Sequence, residues 1–505
     1  MKVLLILAHP REESLSGALL QSYKRGAVES GHQVEQLNLG SMQFERDVLH
    51  HSPKAQELEK KILESQELIS WADHLVFVYP TWWGTFPAVL KSFFDRVLTE
   101  GYAFEEIEGG TGYKKLFRNK SAEIFTTMDT PKFIYKYLYK SPGHKAVGLA
   151  TLNFCGISPV EYHIYGPVRN SEKKTREKWI DETHAKALSL NMKSRRYERS
   201  RKISAWLKAV RLQFYPMTTL AFLLGALLAS YFGNNFSYLI FILSISWVFF
   251  LEVATVLINE KYDLESDKQN EYFSPFTGGS RVIVDELLSL RQINKGIAFS
   301  MSLAALFSVA LIIFSASPAL PTILVLLIST ILALGYTAPP FKLSYRGLAA
   351  LDVGFTHSFG VLVAGFVFQG GQWNNPVVWL LGIPLFLSIL PSIILAGIPD
   401  KKADAAVGKK TVAVRFGSKN AARAAMVSVI LSIISLLVVF LVETISEVYS
   451  FFIFLSVSHS ILLIVRLKQY ISTPNPKNRI DNLIVLSLTY MLWFVIVPII
   501  SLLLR

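Results

Sequence analysis

The pattern of apolar and polar positions changes character once along this chain. Over residues 1–210 apolar runs are short and separated by charged stretches. From 216 onward, apolar runs of about 17–24 residues follow one another. Runs of that length cross a hydrocarbon core roughly 30 Å thick. Nine of them are expected to span a membrane, at 216–233, 236–258, 296–316, 319–335, 348–369, 376–398, 421–442, 447–466 and 481–504. The first part has a different rhythm. Strand-like segments at 3–8, 34–39, 75–79, 122–127 and 161–165 alternate with helical patterns at 17–30, 55–70 and 91–98. Such alternation predicts a doubly wound parallel sheet that binds ligands beyond the C-terminal ends of its strands. The expected fold class is therefore multidomain. An α/β domain occupies 1–190, a basic juxtamembrane linker 191–210, and an all-α membrane domain of nine transmembrane helices 211–505.

Charge adds an orientation. The chain carries an excess of +13, which by itself admits nucleic acid as a partner. Its densest basic stretch, from Lys193 to Arg211, directly precedes the first span, so anionic lipid headgroups are the expected contact and nucleic acid is not. Four connections, around 234–236, 317–320, 370–376 and 443–447, contain no Lys or Arg, whereas those at 259–295, 336–347, 399–423 and 466–480 contain 5, 2, 7 and 4. Positive loops stay on the cytoplasmic side. The N-terminal domain is thus expected in the cytoplasm and the C-terminus outside, in a bacterial-type inner or plasma membrane. The run at 3–8 is short and ends at His9-Pro10, so it reads as a buried strand rather than a secretory signal. A single cysteine, Cys155, excludes an internal disulfide and fits a reducing compartment.

Two acidic clusters follow alternate spans on the positive side. Asn259, Asp263 and Asp267 are spaced i, i+4, i+8, which places three oxygens on one helical face. Asp400 and Asp404 repeat the spacing after the sixth span. Carboxylates stacked in this way repel one another unless a cation lies between them, and Mg²⁺ joins such oxygens to substrate phosphates. Two rows facing each other would hold a diphosphate, with Arg281, Lys342, Arg346 and Lys409 as candidates to neutralise it. Either row alone reads equally well as a solvated helix end. A transporter with intramembrane acids is the non-enzymatic rival, although its carboxylates belong near the midplane rather than at one face.

Over residues 205–505 the chain resembles the UbiA superfamily of intramembrane prenyltransferases. The family pattern N-D-x-x-D-x-x-x-D is matched by Asn259, Asp263 and Asp267 with Glu260 in place of Asp, and D-x-x-x-D followed by G-K-x-T by Asp400, Asp404, Gly408, Lys409 and Thr411. A third family-like segment runs from Tyr336 to Gly347, and 277–283 is similar to members acting on dihydroxynaphthoate or related quinol precursors. The resemblance implies Mg²⁺-dependent transfer of a prenyl group from an isoprenoid diphosphate to an aromatic acceptor, with Asp263 and Asp400 at the centre. Tyr336 has two readings: a group that stabilises the allylic cation or orients the diphosphate, or an interfacial anchor.

In the soluble half, His9 to Gly17 puts hydroxyls at a helix start, and the aromatic loop Pro80, Thr81, Trp82, Trp83, Gly84 follows the third strand. Over 1–188 these segments resemble flavodoxin-fold NAD(P)H:quinone oxidoreductases. The resemblance assigns His9, Ser14, Leu15 and Ser16 to the flavin phosphate. It assigns Pro80–Gly84 and the segment 87–97 to the flavin ring, and Thr126 with Thr127 to a third loop. The glycines usual after that pair are replaced by Met128 and Asp129, and His144 is a candidate for the flavin-facing histidine. The implied cofactors are a flavin (FMN or FAD) and NAD(P)H, with pairing of two copies through this domain. A quinone ring is electron-poor and a hydroquinone electron-rich, so a flavin domain that reduces the aromatic acceptor would prepare it for prenylation. Two alternatives stand beside that coupling: a nucleotide-binding regulatory module similar to the flavoproteins of bacterial potassium efflux systems, or reduction of another metabolite of the same pathway.

Overall fold

A computed structural model describes residues 1–106 and 113–504, with the side chains of 54 and 194–196 outside that description. It divides into two compact units, Met1–Ser200 and Arg201–Arg505.

In the first unit five parallel strands form one sheet in the order β2-β1-β3-β6-β7, where β1 is Lys2–Leu7, β2 Gln33–Asn38, β3 His74–Pro80, β6 Ser121–Thr127 and β7 Val160–Tyr165. The strands β3 and β6 are buried throughout, which is why they read as continuous apolar runs rather than alternating ones. Their register pairs Pro80 with Thr127 and Tyr79 with Thr126, so both strands end at the same level. Strand order reverses between β1 and β3, and the crevice of such a sheet opens at that point. The helix expected at 55–70 is Lys60–Trp71, and that expected at 91–98 is Ala88–Val97, which starts behind Pro87. A short antiparallel hairpin, β4 Phe104–Glu106 with β5 Tyr113–Lys115, was not signalled by any alternation, since each strand has three residues.

The basic segment 191–210 is one helix, Leu190–Val210. Its Lys193 does not face headgroups. It enters the sheet's flank, where it pairs with Glu123 and, at 3.3 Å, with Glu161. Tyr197 donates a hydrogen bond to Glu161 at 2.5 Å, and His163 Nε2 stands 3.5 Å from Glu123. A buried carboxylate such as Glu123 needs these partners to offset its desolvation.

The second unit is a bundle of apolar helices. Among the described residues eight helical segments are long and apolar enough to cross a membrane: the stretch Leu190–Tyr231, whose apolar part is the helix Tyr215–Tyr231, and Tyr238–Tyr262, Leu290–Phe314, Ala349–Phe368, Pro376–Ala396, Ser418–Val439, Phe451–Ser472 and Asp481–Leu503. The fourth expected span, 319–335, is the helix Ala319–Gly335, shorter by that standard but as apolar as the rest. Boundaries move where first turns are polar. The third helix begins at Leu290 rather than 296, because Ser289 and Gln292 form a reciprocal capping box ahead of the apolar run.

Close packing of the first and fifth spans rests on two glycines. A methyl group at Gly225 would lie 2.1 Å from the Leu362 carbonyl oxygen, and one at Gly365 would lie 2.2 Å from that of Phe222. Small residues of this kind let membrane helices approach through their backbones. Gly365→Val is expected to separate the two helices and cost about 1–3 kcal/mol or more. An unchanged thermal unfolding midpoint in detergent would contradict the close approach.

Candidate functional site

The connections after the second, fourth and sixth spans converge on one cavity of about 400 Å³. Tyr238–Tyr262 ends at Asp263, yet the helical phase continues: the amide of Asp263 donates to Asn259 O and that of Asp267 to Asp263 O, each at 2.8 Å. Asn259, Asp263 and Asp267 therefore stay on one face and line the cavity. Across from them, Asp404 N donates to Asp400 O at 2.8 Å, and Asp400, Asp404 and Lys409 line the other wall.

Lys409 bridges the two rows. Its ammonium stands 2.9 Å from Asp263 and 3.3 Å from Asp404. Burial alone would favour the neutral amine, but Asp263 and Asp404 outweigh it and hold Lys409 protonated. Ser266 donates to Asp404 at 3.1 Å, Asn270 to Asp400 at 2.7 Å, and Tyr345 to Asp263 at 3.2 Å. One lysine does not balance the set. Burial, then Asp263 and Glu260, push Asp267 up to about 8. Burial and Asp404 push Asp400 up to about 7. The buried Asn259 Oδ1 has no hydrogen-bond partner. An unpaired amide oxygen beside carboxylates short of positive charge is the donor set a hard divalent cation takes, so these residues fit magnesium.

The remaining expected residues separate. Tyr336 caps Ala319–Gly335 and lines the cavity. Arg281, Lys342 and Arg346 do not line it. Arg281 donates to Asp267 O at 2.5 Å and lies 4.3 Å over the Phe273 ring, Lys342 lies over Tyr345 at 5.2 Å, and Arg346 donates to Pro340 O at 2.9 Å. Each serves the fold of its own loop. Glu260, the family's usual Asp position, turns away from the cavity and accepts from the amides of Ser280 at 2.9 Å and Val282 at 3.1 Å. It thereby fixes the turn at Gly278 and Gly279, where a methyl on Gly279 would lie 1.9 Å from Asp267 Oδ2.

Arg211 lines the mouth and was not singled out from sequence. Its only signal is being the last basic residue before the first span. Deeper, Glu252, Asp352 and His357 also line the wall, among apolar side chains such as Leu251, Val361 and Ile389.

In the soluble unit, the loops after β1, β3 and β6 meet. Ser14 caps the helix Leu15–Glu29 by accepting from Gly17 N at 3.1 Å, and Gly17 is required there because a methyl would lie 1.9 Å from Glu12 O. Leu15 opens that helix. Ser16 and Thr127 share a buried hydroxyl contact at 3.3 Å, which joins the first loop to the third. His9 accepts from the Arg11 amide at 2.9 Å and meets Trp82 edge-on at 6.1 Å; burial lowers its pKa, so it is neutral at pH 7. Thr81 N donates to Thr127 O at 2.7 Å, whereas the buried Thr81 Oγ1 is unpartnered. Trp82 is half-exposed, Trp83 is fully exposed, and the turn is completed by Gly84 at φ +74. Thr126 meets His144 Nε2 at 3.1 Å, and burial lowers that histidine to about 4. Met128 and Asp129, in place of glycines, are committed elsewhere: Met128 N donates to Tyr165 O at 3.0 Å and Asp129 accepts from Arg169 N at 2.7 Å. An exposed aromatic pair, an orphaned hydroxyl and a hydroxyl-rich helix start fit a flavin.

A raised folded-state pKa means that Asp267 and Asp400 keep protons in the folded protein that unfolding releases. In chelator, stability is therefore expected to fall as pH rises from about 4, the ordinary carboxyl value, to about 8, and to level off above both raised values. Millimolar Mg²⁺ should reverse much of that fall. Equal loss of thermal stability with and without the cation would show that the carboxylates do not hold one.

Comparison with known proteins agrees with this division. The family model for the flavodoxin-like fold matches residues 1–189, and that for the UbiA prenyltransferase family matches 218–498. An uncharacterized NAD(P)H oxidoreductase of Haemophilus influenzae is 30% identical over 200 residues, covering 38% of this chain and 98% of its own. The ribosyldihydronicotinamide dehydrogenase [quinone] of Rattus norvegicus is 30% identical over 205 residues, covering 34% and 85%. A solved digeranylgeranylglyceryl phosphate synthase covers 60% of this chain and 99% of its own at 19% identity and a TM-score of 0.43. The chain is a membrane protein that belongs to the UbiA prenyltransferase family and carries a flavodoxin-like oxidoreductase domain at its N-terminus.

Proposed function

We propose that the membrane domain transfers a prenyl group from an isoprenoid diphosphate to a carbon of an aromatic quinol, and that the soluble domain supplies that quinol by reducing a quinone with NAD(P)H. The observation that carries the first half is the meeting of two acidic rows, bridged by Lys409, at the mouth of a cavity with an apolar interior.

Magnesium held by Asn259, Asp263, Asp267, Asp400 and Asp404 supplies positive charge to the two phosphate groups. Lys409 and Arg211 add charge at the same mouth, where it is worth more than in water. The bond from the allylic carbon to oxygen breaks with its electron pair remaining on the diphosphate. A new carbon–carbon bond forms to the ring, which then loses a proton. The apolar depth keeps water from intercepting the cation, and the half-buried Tyr336 presents its ring to it.

A flavin, FMN or FAD, held by the loops at His9, Ser14–Ser16, Pro80–Gly84 and Thr126–Thr127 supplies hydride transfer from NAD(P)H to the quinone. Ser14, Ser16 and the helix start would orient its phosphate, and Trp82 with Trp83 would flank the ring. The exposed Phe133, Tyr137 and Leu138 give this domain an apolar face for a second copy. The converging positive loops favour a cytoplasmic N-terminal domain and an outside C-terminus.

Asp263→Ala and Asp400→Ala are each expected to lower prenyl transfer about a hundredfold or more while the protein remains folded and inserted. Full activity in either variant would remove the metal assignment. The coupling has its own test: purified protein is given a quinone, a prenyl diphosphate and Mg²⁺, with or without NADPH. Prenylated product is expected only with NADPH, and equal yields would show that the two domains act independently.

A further inference from the structure

The connection after the second span contains a turn, residues 277–282, that touches both acidic rows. It is tight: Gly278, Gly279 and Arg281 all have positive φ, at +74, +67 and +58. The Asp267 carboxylate lies directly against the Gly279 backbone, where a methyl would stand 1.9 Å from Oδ2 and 3.1 Å from Oδ1. Arg281 donates to the Asp267 carbonyl oxygen, which fastens the main chain of the same residue. From the other row, the Asp400 carboxylate accepts from Asn270 at 2.7 Å and meets the backbone N–H of Gly278. Gly278 in turn leaves room for Asn270, whose Nδ2 would be 2.6 Å from a methyl there.

One side chain anchors this turn. Glu260 belongs to the last turn of Tyr238–Tyr262, beside Asn259, yet it does not line the cavity. Its carboxylate divides between two amides: Oε2 accepts from Ser280 at 2.9 Å and Oε1 from Val282 at 3.1 Å. All three residues are buried. Val282 continues into an apolar cluster with Val253, Leu257 and Ile293, so packing fixes the far side of the turn and Glu260 the near side. Hydrogen bonds to an ionised carboxylate are stronger than neutral ones, and a pair from one carboxylate also fixes direction. Both bonds depend on reach. Asp at this position is one methylene shorter and spans to both amides only if the turn or the helix end moves.

We infer that Glu260 is a positioning residue for the cation site: through the 277–282 turn it holds the Asp267 carboxylate in the cavity wall beside Asn259 and Asp263, and so sets the affinity for a divalent cation. This rests on the magnesium assignment proposed above and adds the residue that aims one of its ligands. Ligand carboxylates keep their affinity only while outer partners hold them, and losing such a partner typically weakens metal binding about 10–100-fold. The negative charge of Glu260 repels Asp267, as that of Asp263 does, and would favour a nearby cation whether or not the turn is held. Geometry is separated from charge by shortening the side chain while keeping its carboxylate. The aspartate that the family pattern has at this position is the wrong length for this chain's turn.

Mn²⁺, whose electron paramagnetic resonance signal falls on binding, is titrated into the full-length protein without substrates, and the site is identified as the one that Asp400→Ala removes. Glu260→Asp is expected to raise the Kd for Mn²⁺ at that site about tenfold or more. Gly365→Ala, which disturbs helix packing at Phe222, should leave it within about twofold. Should Glu260→Asp fail to fold, Glu260→Gln, which keeps the length and gives up one amide, is read by the same criterion. An unchanged Kd, even with a lowered unfolding temperature, would reduce Glu260 to a structural clamp and overturn the inference. An equal rise in Gly365→Ala would overturn it too, by tracing the loss to general loosening. Wild-type protein that binds no Mn²⁺ at this site overturns the magnesium assignment itself, and the inference with it.

Discussion

Repulsion among buried carboxylates governs the membrane domain. Asp263, Asp267, Asp400 and Asp404 converge at one cavity mouth, and the positive charges that line it are Lys409 and Arg211. Four acids against two bases, out of bulk water, is an arrangement that wants either protons or metal. Protonation satisfies Asp267 and Asp400 near neutral pH, at the expense of the negative charge that would bind a cation. Metal with a diphosphate would satisfy the site without that loss, because the ligand would bring its own anions to share the cation. The architecture around the mouth follows from this. Glu260 clamps the turn at Ser280 and Val282, Gly279 leaves room for Asp267, and Ser266, Asn270 and Tyr345 hold the other acids in place.

The apolar depth behind the mouth has a complementary role. Interactions that separate charge in the leaving group are strongest where water is absent, and a cation formed there survives only if nothing but the acceptor can reach it. The bundle achieves this by close helix packing, as at Gly225 and Gly365. It also interrupts Ala349–Phe368 with a wide turn at Thr356–Gly360, within which His357 reaches the cavity. Wide helical turns of this kind occur frequently at functional sites.

Much of this was legible in the chain because it is local. Asn259, Asp263 and Asp267 are close in sequence and share a face by helical period alone, as do Asp400 and Asp404. The alternating strands 3–8, 75–79 and 122–127 likewise announce β1, β3 and β6. Contributions that come from distant segments were not legible. Arg211 reads as one more base of a linker, and Glu252 as an isolated acid in an apolar run, until the cavity brings them beside Asp267 and His357. Arg281 and Arg346 stand outside the cavity lining. Their position near the acidic motifs suggested phosphate; in the structure each donates to a backbone carbonyl, that of Asp267 or Pro340. Lys193 sat in a basic stretch that predicted lipid, yet the buried Glu123 and the half-buried Glu161 draw it into the sheet. Charge pattern gives the sign of a region's field; only packing decides which charge is left free.

The fusion itself has a chemical logic that does not depend on how the two domains are placed. Attack on an allylic cation requires an electron-rich ring, and a free hydroquinone is readily lost to oxidation before it reaches a membrane site. On the coupling proposed above, covalent linkage would raise the effective concentration of the reduced acceptor by confining its source.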